Sequence, residues 1–226
     1  MCAHSAADQQ RQPSARPNTT SDAPTTAAAA ADLEERYGTP TSHTSLGRAE
    51  VERLVDDALE NDAPVRYLLD SLARGGCGVG RAFFHVARCD GDVHGGFSTE
   101  FGVVLCHNRL QHAREVGLAL AHELVHAYDF CRARDLDLTD CRHHACTEVR
   151  AAALSGDCGF SQELLRGNLS ESLVGQYRRC VRRRAAMSVA MNPHCAGPGE
   201  ADAAVAAVLP QCFRDTDPWP RIPALG

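Results

Sequence analysis

The sequence predicts an α+β domain, mainly helical, with a small antiparallel sheet and disulfide stabilisation. Three observations carry that reading. Apolar residues recur at helical spacing through most of the chain after residue 45. One stretch between residues 81 and 107 is instead rich in β-branched and aromatic residues, in short runs bounded by glycine. Eleven cysteines occur in 226 residues, with no C-x2-C pair among them. That spacing excludes the common zinc modules and suits disulfides. Cys77, Cys89, Cys106, Cys131, Cys141, Cys146, Cys158, Cys180, Cys195 and Cys212 lie in the region expected to fold and can close as five bridges, while Cys2 stands apart. Each bridge contributes roughly 2 to 4 kcal/mol by restricting the unfolded chain. Their pairing is open at this level.

Taken in order, residues 1–44 are rich in Ala, Thr, Ser, Pro and Gln, include the run Ala27 to Ala31, and hold few large apolar side chains. They cannot bury enough surface to offset ordering entropy, so they are expected to be a disordered tail before a single domain at 45–226. Arg11, Arg16 and Arg36 are outnumbered by Asp8, Asp22, Asp32, Glu34 and Glu35, a poor match to an organelle presequence. No apolar run approaches the ~18 residues that span a bilayer, so a soluble or peripheral protein is expected. A helix pair opens the domain, with Val51, Leu54, Val55, Ala58 and Leu59, then Val65, Leu68, Leu69 and Leu72 after Pro64, closed by Gly75-Gly76. Strands are expected at 81–88, 93–97 and 101–107, and such a sheet can offer an edge to an extended peptide. Two helices around 114–133 and 141–156 follow. Further helices are expected from Glu163 to Met191 and from Ala201 to Phe213, before a Pro-rich end. There is no internal repeat.

The helix from Arg114 reads REVGLALAHELVHAYDFCRA and contains HELVH at His122 to His126. Positions i and i+4 share one helical face, so both imidazoles can converge on one tetrahedral zinc ion. Glu123 then lies beside the open position, where a carboxylate can take a proton from water attacking a peptide carbonyl and return it to the leaving amine. This pattern points to a zincin-like metallopeptidase with His122 and His126 as metal ligands and Glu123 as the catalytic base.

Catalytic zinc usually takes three protein ligands, and Glu148 on the following helix is the preferred third. His144 lies one turn before it on the same face and remains an alternative, next to His143. Asp129, at i+3 from His126, suits a role orienting a ligating imidazole. Asp157, after the helix stop at Gly156, suits a cap or turn. The net charge of −6 argues against a nucleic-acid surface. Arg178, Arg179, Arg182, Arg183 and Arg184 spread around a helix and are expected to form a solvated face. All 23 basic residues are Arg, and nothing in the sequence gives this a function.

From about Arg74 to Ile222 the chain resembles the mitochondrial inner-membrane metallopeptidase family that processes and helps assemble ATP synthase. The resemblance is carried by GGF at Gly95 to Phe97, VLCHN at Val104 to Asn108, HELVHAYDFCRA at His122 to Ala133, RHHACTEVRAAALSGDC at Arg142 to Cys158, CVRRRAAMSV at Cys180 to Val189 and CFRDTDPW at Cys212 to Trp219. It implies a zinc endopeptidase of the intermembrane space, peripheral on the inner membrane, with disulfides formed in that oxidising compartment. It further implies extended protein substrates, among them the leader of an ATP synthase membrane subunit. Family roles pass to His122 and His126 as ligands and to Glu123 as the catalytic residue, while Glu148 falls on a matching position. The long N-terminal tail departs from the family pattern. Two other functions fit less well: a non-proteolytic assembly chaperone for ATP synthase, and a binding partner of a DNA-repair complex.

Overall fold

The computed structural model describes residues 45–91, 93–133, 135–168 and 173–223. The expected N-terminal tail, 1–44, lies outside them. Helices α1 (Arg48–Asn61) and α2 (Ala63–Arg74) form the opening pair and bury Val51, Leu54, Val55, Val65, Leu68 and Leu72. The turn between them is short because Asp62 caps α2 through the Val65 N–H while Pro64 occupies its first turn, where no amide is needed.

Three strands follow, β1 (Phe84–Ala87), β2 (Gly95–Ser98) and β3 (Gly102–Cys106). Their order is β1-β3-β2, with β2 antiparallel to β3 and β1 parallel to it. The sheet is therefore mixed, where the sequence led us to expect an antiparallel one. Burial explains the order. Strand β3 is apolar on both faces and takes the centre, whereas the half-exposed GGFS of β2 tolerates an edge. Two ties then hold the end of β1 beside β3 rather than β2: the Cys89–Cys106 disulfide, and Asn108, whose side chain bonds both the N–H and the C=O of Cys89. Gly102 turns the β2–β3 hairpin at φ +86°, where a Cβ would strike the Phe83 carbonyl.

The rest is helical. Helix α3 (Ala113–Arg132) carries HELVH, α4 (Cys141–Leu154) carries Glu148, and α5 (Phe160–Leu165), α6 (Leu173–Ala190) and α7 (Glu200–Cys212) follow among the described residues. The helical character expected from Glu163 to Met191 is interrupted after α5, where Gly167 adopts φ +74° and ends the helical path. One core runs through the molecule, from α1 and α2 across Leu120, Leu124 and Val125 of α3 to Val149, Ala152, Val181, Val205 and Leu209.

Five disulfides cross-link it: Cys77–Cys131, Cys89–Cys106, Cys141–Cys195, Cys146–Cys212 and Cys158–Cys180. They close loops with sequence separations from 17 to 66 residues. By chain entropy that is about 3 kcal/mol for the shortest and about 4 kcal/mol for the longest. Two of the five end on α4.

Candidate metal centre

Helix α3 presents His122 and His126 one turn apart, with ring centroids 4.9 Å from each other. Helix α4 lies against this face and brings Glu148 between them. One donor atom each from His122, His126 and Glu148 lies within 4.8 Å of the other two. Glu148 Oε2 is 3.5 Å from His122 Nε2 and Oε1 is 3.5 Å from His126 Nε2. Oε2 is buried and has no hydrogen-bond partner. A carboxylate oxygen in that state is costly unless something positive occupies the space in front of it.

These residues fit a divalent ion. Tetrahedral zinc with bonds of ~2.05 Å sets its ligand atoms about 3.3 Å apart, close to the 3.5 Å between His122 Nε2 and Glu148 Oε2. The His126 lone pair also points correctly. His126 Nδ1 lies 2.8 Å from Thr147 Oγ1, whose hydroxyl donates to Asp129 Oδ2 at 2.9 Å. Thr147 therefore accepts the Nδ1 proton, which leaves Nε2 of the neutral ring free to ligate. Asp129 does orient the imidazole, as its spacing suggested, but through Thr147 rather than directly.

The charges are unevenly shared. Burial disfavours protonation of His122, yet the neighbouring Glu148 carboxylate and the charges of Glu123 and Asp157 outweigh this and raise its pKa to about 9. Burial lowers His126 to about 4; Glu148 opposes the shift, and the charges of His122 and His144 add to it. Burial also works against ionised Glu148, but His126, His122 and His144 prevail and hold its carboxyl well below the usual range. Glu123 is buried and pushed up to about 7, with His122 resisting and Glu148 adding to the rise.

The strand β2 runs beside this carboxyl. A Cβ on Gly95 would meet the Val104 carbonyl at 2.7 Å and Glu123 Oε1 at 3.4 Å, so the glycine lets the edge strand approach the HELVH helix closely.

Behind the centre stands a buried brace. The Arg150 guanidinium, 1 % exposed, pairs with Asp129 Oδ1 at 2.9 Å and Asp215 Oδ1 at 2.6 Å, and also donates to the carbonyls of Asp215 and Asp217. Arg132 adds contacts to Asp129 and Asp215. The segment after α7 is thus strapped across α3 and α4, with Trp219 stacked on Tyr67 and the Tyr67 hydroxyl donating to the Pro218 carbonyl. Tyr128 donates to Asp217 and is held to the same strap. A cavity of about 360 Å³ opens here, lined by Asp129, Arg132, His143, Thr147 and Arg150.

Other expectations shift. Asp157 sits in a turn as anticipated, but it is buried between Arg166 and Arg184, at 2.5 and 2.7 Å. Arg183 turns inward to Glu163 at 2.8 Å, so the arginine cluster is only partly a solvated face. Thr147, the strap and the close approach of Gly95 carry no signal in the sequence. Thr147 adjoins Glu148 in sequence, but only the helix crossing reveals what it touches.

The chain is similar to proteins described as mitochondrial inner membrane protease ATP23. It is 40 % identical over 158 residues to that of Meyerozyma guilliermondii, covering 70 % of this chain and 64 % of the relative. It is 38 % identical over 158 residues to that of Emericella nidulans, covering 70 % and 66 %. It is 42 % identical over 146 residues to that of Mycosarcoma maydis, covering 61 % and 66 %. The match thus spans just under two thirds of the length of these relatives. No solved structure matches. Residues 49–220 match the Peptidase M76 family, a span that includes every donor of the centre, and the chain belongs to that family.

Proposed function

We propose that this protein is a zinc-dependent endopeptidase. The observation that carries the reading is the convergence of His122, His126 and Glu148, with Glu123 beside them, in a chain of a peptidase family. His122, His126 and Glu148 would hold the ion. Bound there, zinc supplies a Lewis acid that acidifies water and polarises a carbonyl. Glu123 accepts a proton from the attacking water and delivers it to the departing amide nitrogen, a task suited to a buried carboxyl poised near neutrality. The edge strand β2 pairs with an extended substrate and aligns its backbone along the HELVH helix.

The relatives' names support placement at the mitochondrial inner membrane. Five disulfides favour the oxidising intermembrane space. Among the described residues no helix is long and apolar enough to cross a membrane, in keeping with peripheral attachment. The family resemblance supports an ATP synthase membrane subunit as substrate, with leader removal as the reaction and assistance to assembly as a second role. Purified Glu123→Gln protein tests this on a peptide spanning such a leader. It should keep its zinc and lose cleavage by about 10²- to 10⁴-fold; unchanged cleavage overturns the assignment. Complementation by the same variant separates proteolysis from assembly help.

A further inference from the structure

His144 stands closest to the centre among the histidines that the mechanism leaves unused. Its Nε2 is 3.3 Å from Glu148 Oε1, one turn along α4. Its other nitrogen, Nδ1, faces the Asn192 amide nitrogen at 2.9 Å. Which proton this ring carries follows from Asn192. The same amide nitrogen donates to the Leu138 carbonyl at 2.7 Å, and the amide oxygen accepts the His194 N–H at 3.0 Å. Turning the amide over would set oxygen against a carbonyl and nitrogen against an N–H, so its orientation is fixed at both ends. Its second N–H must therefore point at His144 Nδ1, which has to accept.

A ring that accepts at Nδ1 carries its hydrogen at Nε2. Ligation of a metal through Nε2 would require the opposite tautomer and would set two N–H groups against each other. We infer that His144 is not a ligand but a positioning residue. In this tautomer, fixed by Asn192, its Nε2–H donates to Glu148 Oε1 and leaves Oε2 as the oxygen that meets the ion. Three observations agree with this assignment: Oε1 faces His144, Oε2 is the unpartnered oxygen, and His144 lies outside the set of converging donors. The loop bearing Asn192 is itself anchored to the start of α4 by Cys141–Cys195, so the clamp and the helix it serves move as one body.

The inference rests on the metal-site reading above, and its test separates the two. Zinc is titrated into the purified, disulfide-bonded parent, His144→Leu, His144→Gln and Asn192→Ala against a competing chelator. The ring nitrogens of His144 in the parent are also read by ¹⁵N NMR. A parent that binds no zinc would defeat the metal-site reading itself. If the parent binds zinc, His144→Leu and Asn192→Ala should weaken it by about 10- to 100-fold, the usual effect of removing a partner of a ligand. His144→Gln, whose amide N–H replaces Nε2–H, should recover most of the loss. The ring should show the Nε2–H tautomer with and without zinc. An Nδ1–H tautomer, a Leu variant that binds as tightly as the parent, or a Gln variant as weak as the Leu variant would overturn the proposal.

Discussion

Helix α3 places His122 and His126 by its own periodicity and by Leu120, Leu124 and Val125, which sink its flanks into the core, whereas α4 places Glu148 through bonds that reach it from distant parts of the chain. Two disulfides, the Asn192 loop and the strap after α7 all converge on α4. The difference follows from geometry. Two donors on one helix have their separation fixed by the backbone, so packing need only bury the helix. A donor on a second helix has its rotation, tilt and depth to be fixed as well, and each needs its own restraint.

Breaking the strongest of those restraints should have the largest effect. Arg150→Met leaves the buried Asp129 carboxyl without its main partner and frees the strap; we expect a loss of about 3 kcal/mol in urea unfolding, at the low end for a buried pair because Arg132 stays on Asp129. Replacing Asp129 as well, with Leu, should recover much of that loss. If Arg150→Met proves neutral, the strap does not hold α4.

Removing the hydroxyl that joins the two helices is the next test. Thr147→Val keeps the shape but cannot accept the His126 Nδ1 proton, so zinc affinity should fall by about 10- to 100-fold, with a loss of about 1 to 3 kcal/mol in unfolding from the orphaned buried N–H. Equal affinity would mean that α3 orients its own imidazole unaided.

The pH dependence tests His122 itself. His122 is raised to about 9 in the metal-free protein, so zinc must displace its proton at neutral pH. Apparent zinc affinity should therefore climb about tenfold per pH unit above neutrality and level off as pH passes the His122 value. The metal-free fold shows the opposite sign. The His122–Glu148 pair stabilises it fully below pH 6.5, and that contribution fades as pH rises towards about 9. Chelator competition and unfolding measured across that window read both. A flat zinc profile would show that His122 is already neutral.

The same contrast governs what the sequence reveals. His122, Glu123 and His126 are legible because helical periodicity is local and the spacing of HELVH carries the geometry. Glu148 can be favoured over His144, Asp129 and Asp157, but not chosen, until the helices cross, since four candidate donors have similar chemistry and only tertiary placement separates them. The strands are legible as strands. Their order is not, because the Cys89–Cys106 link and the two-way clasp of Asn108 act between residues far apart in sequence. Thr147 and Asn192 give no signal at all. Each is an ordinary polar residue until a helix from elsewhere in the chain supplies its partner.

The centre itself is tested most directly by zinc-edge X-ray absorption on protein purified without chelator. The expected spectrum shows nitrogen and oxygen neighbours at ~2.0–2.1 Å, with outer-shell scattering from two imidazoles and no sulfur. A sulfur shell near ~2.3 Å, scattering from a third imidazole, or protein that retains no metal would contradict the His122, His126 and Glu148 site.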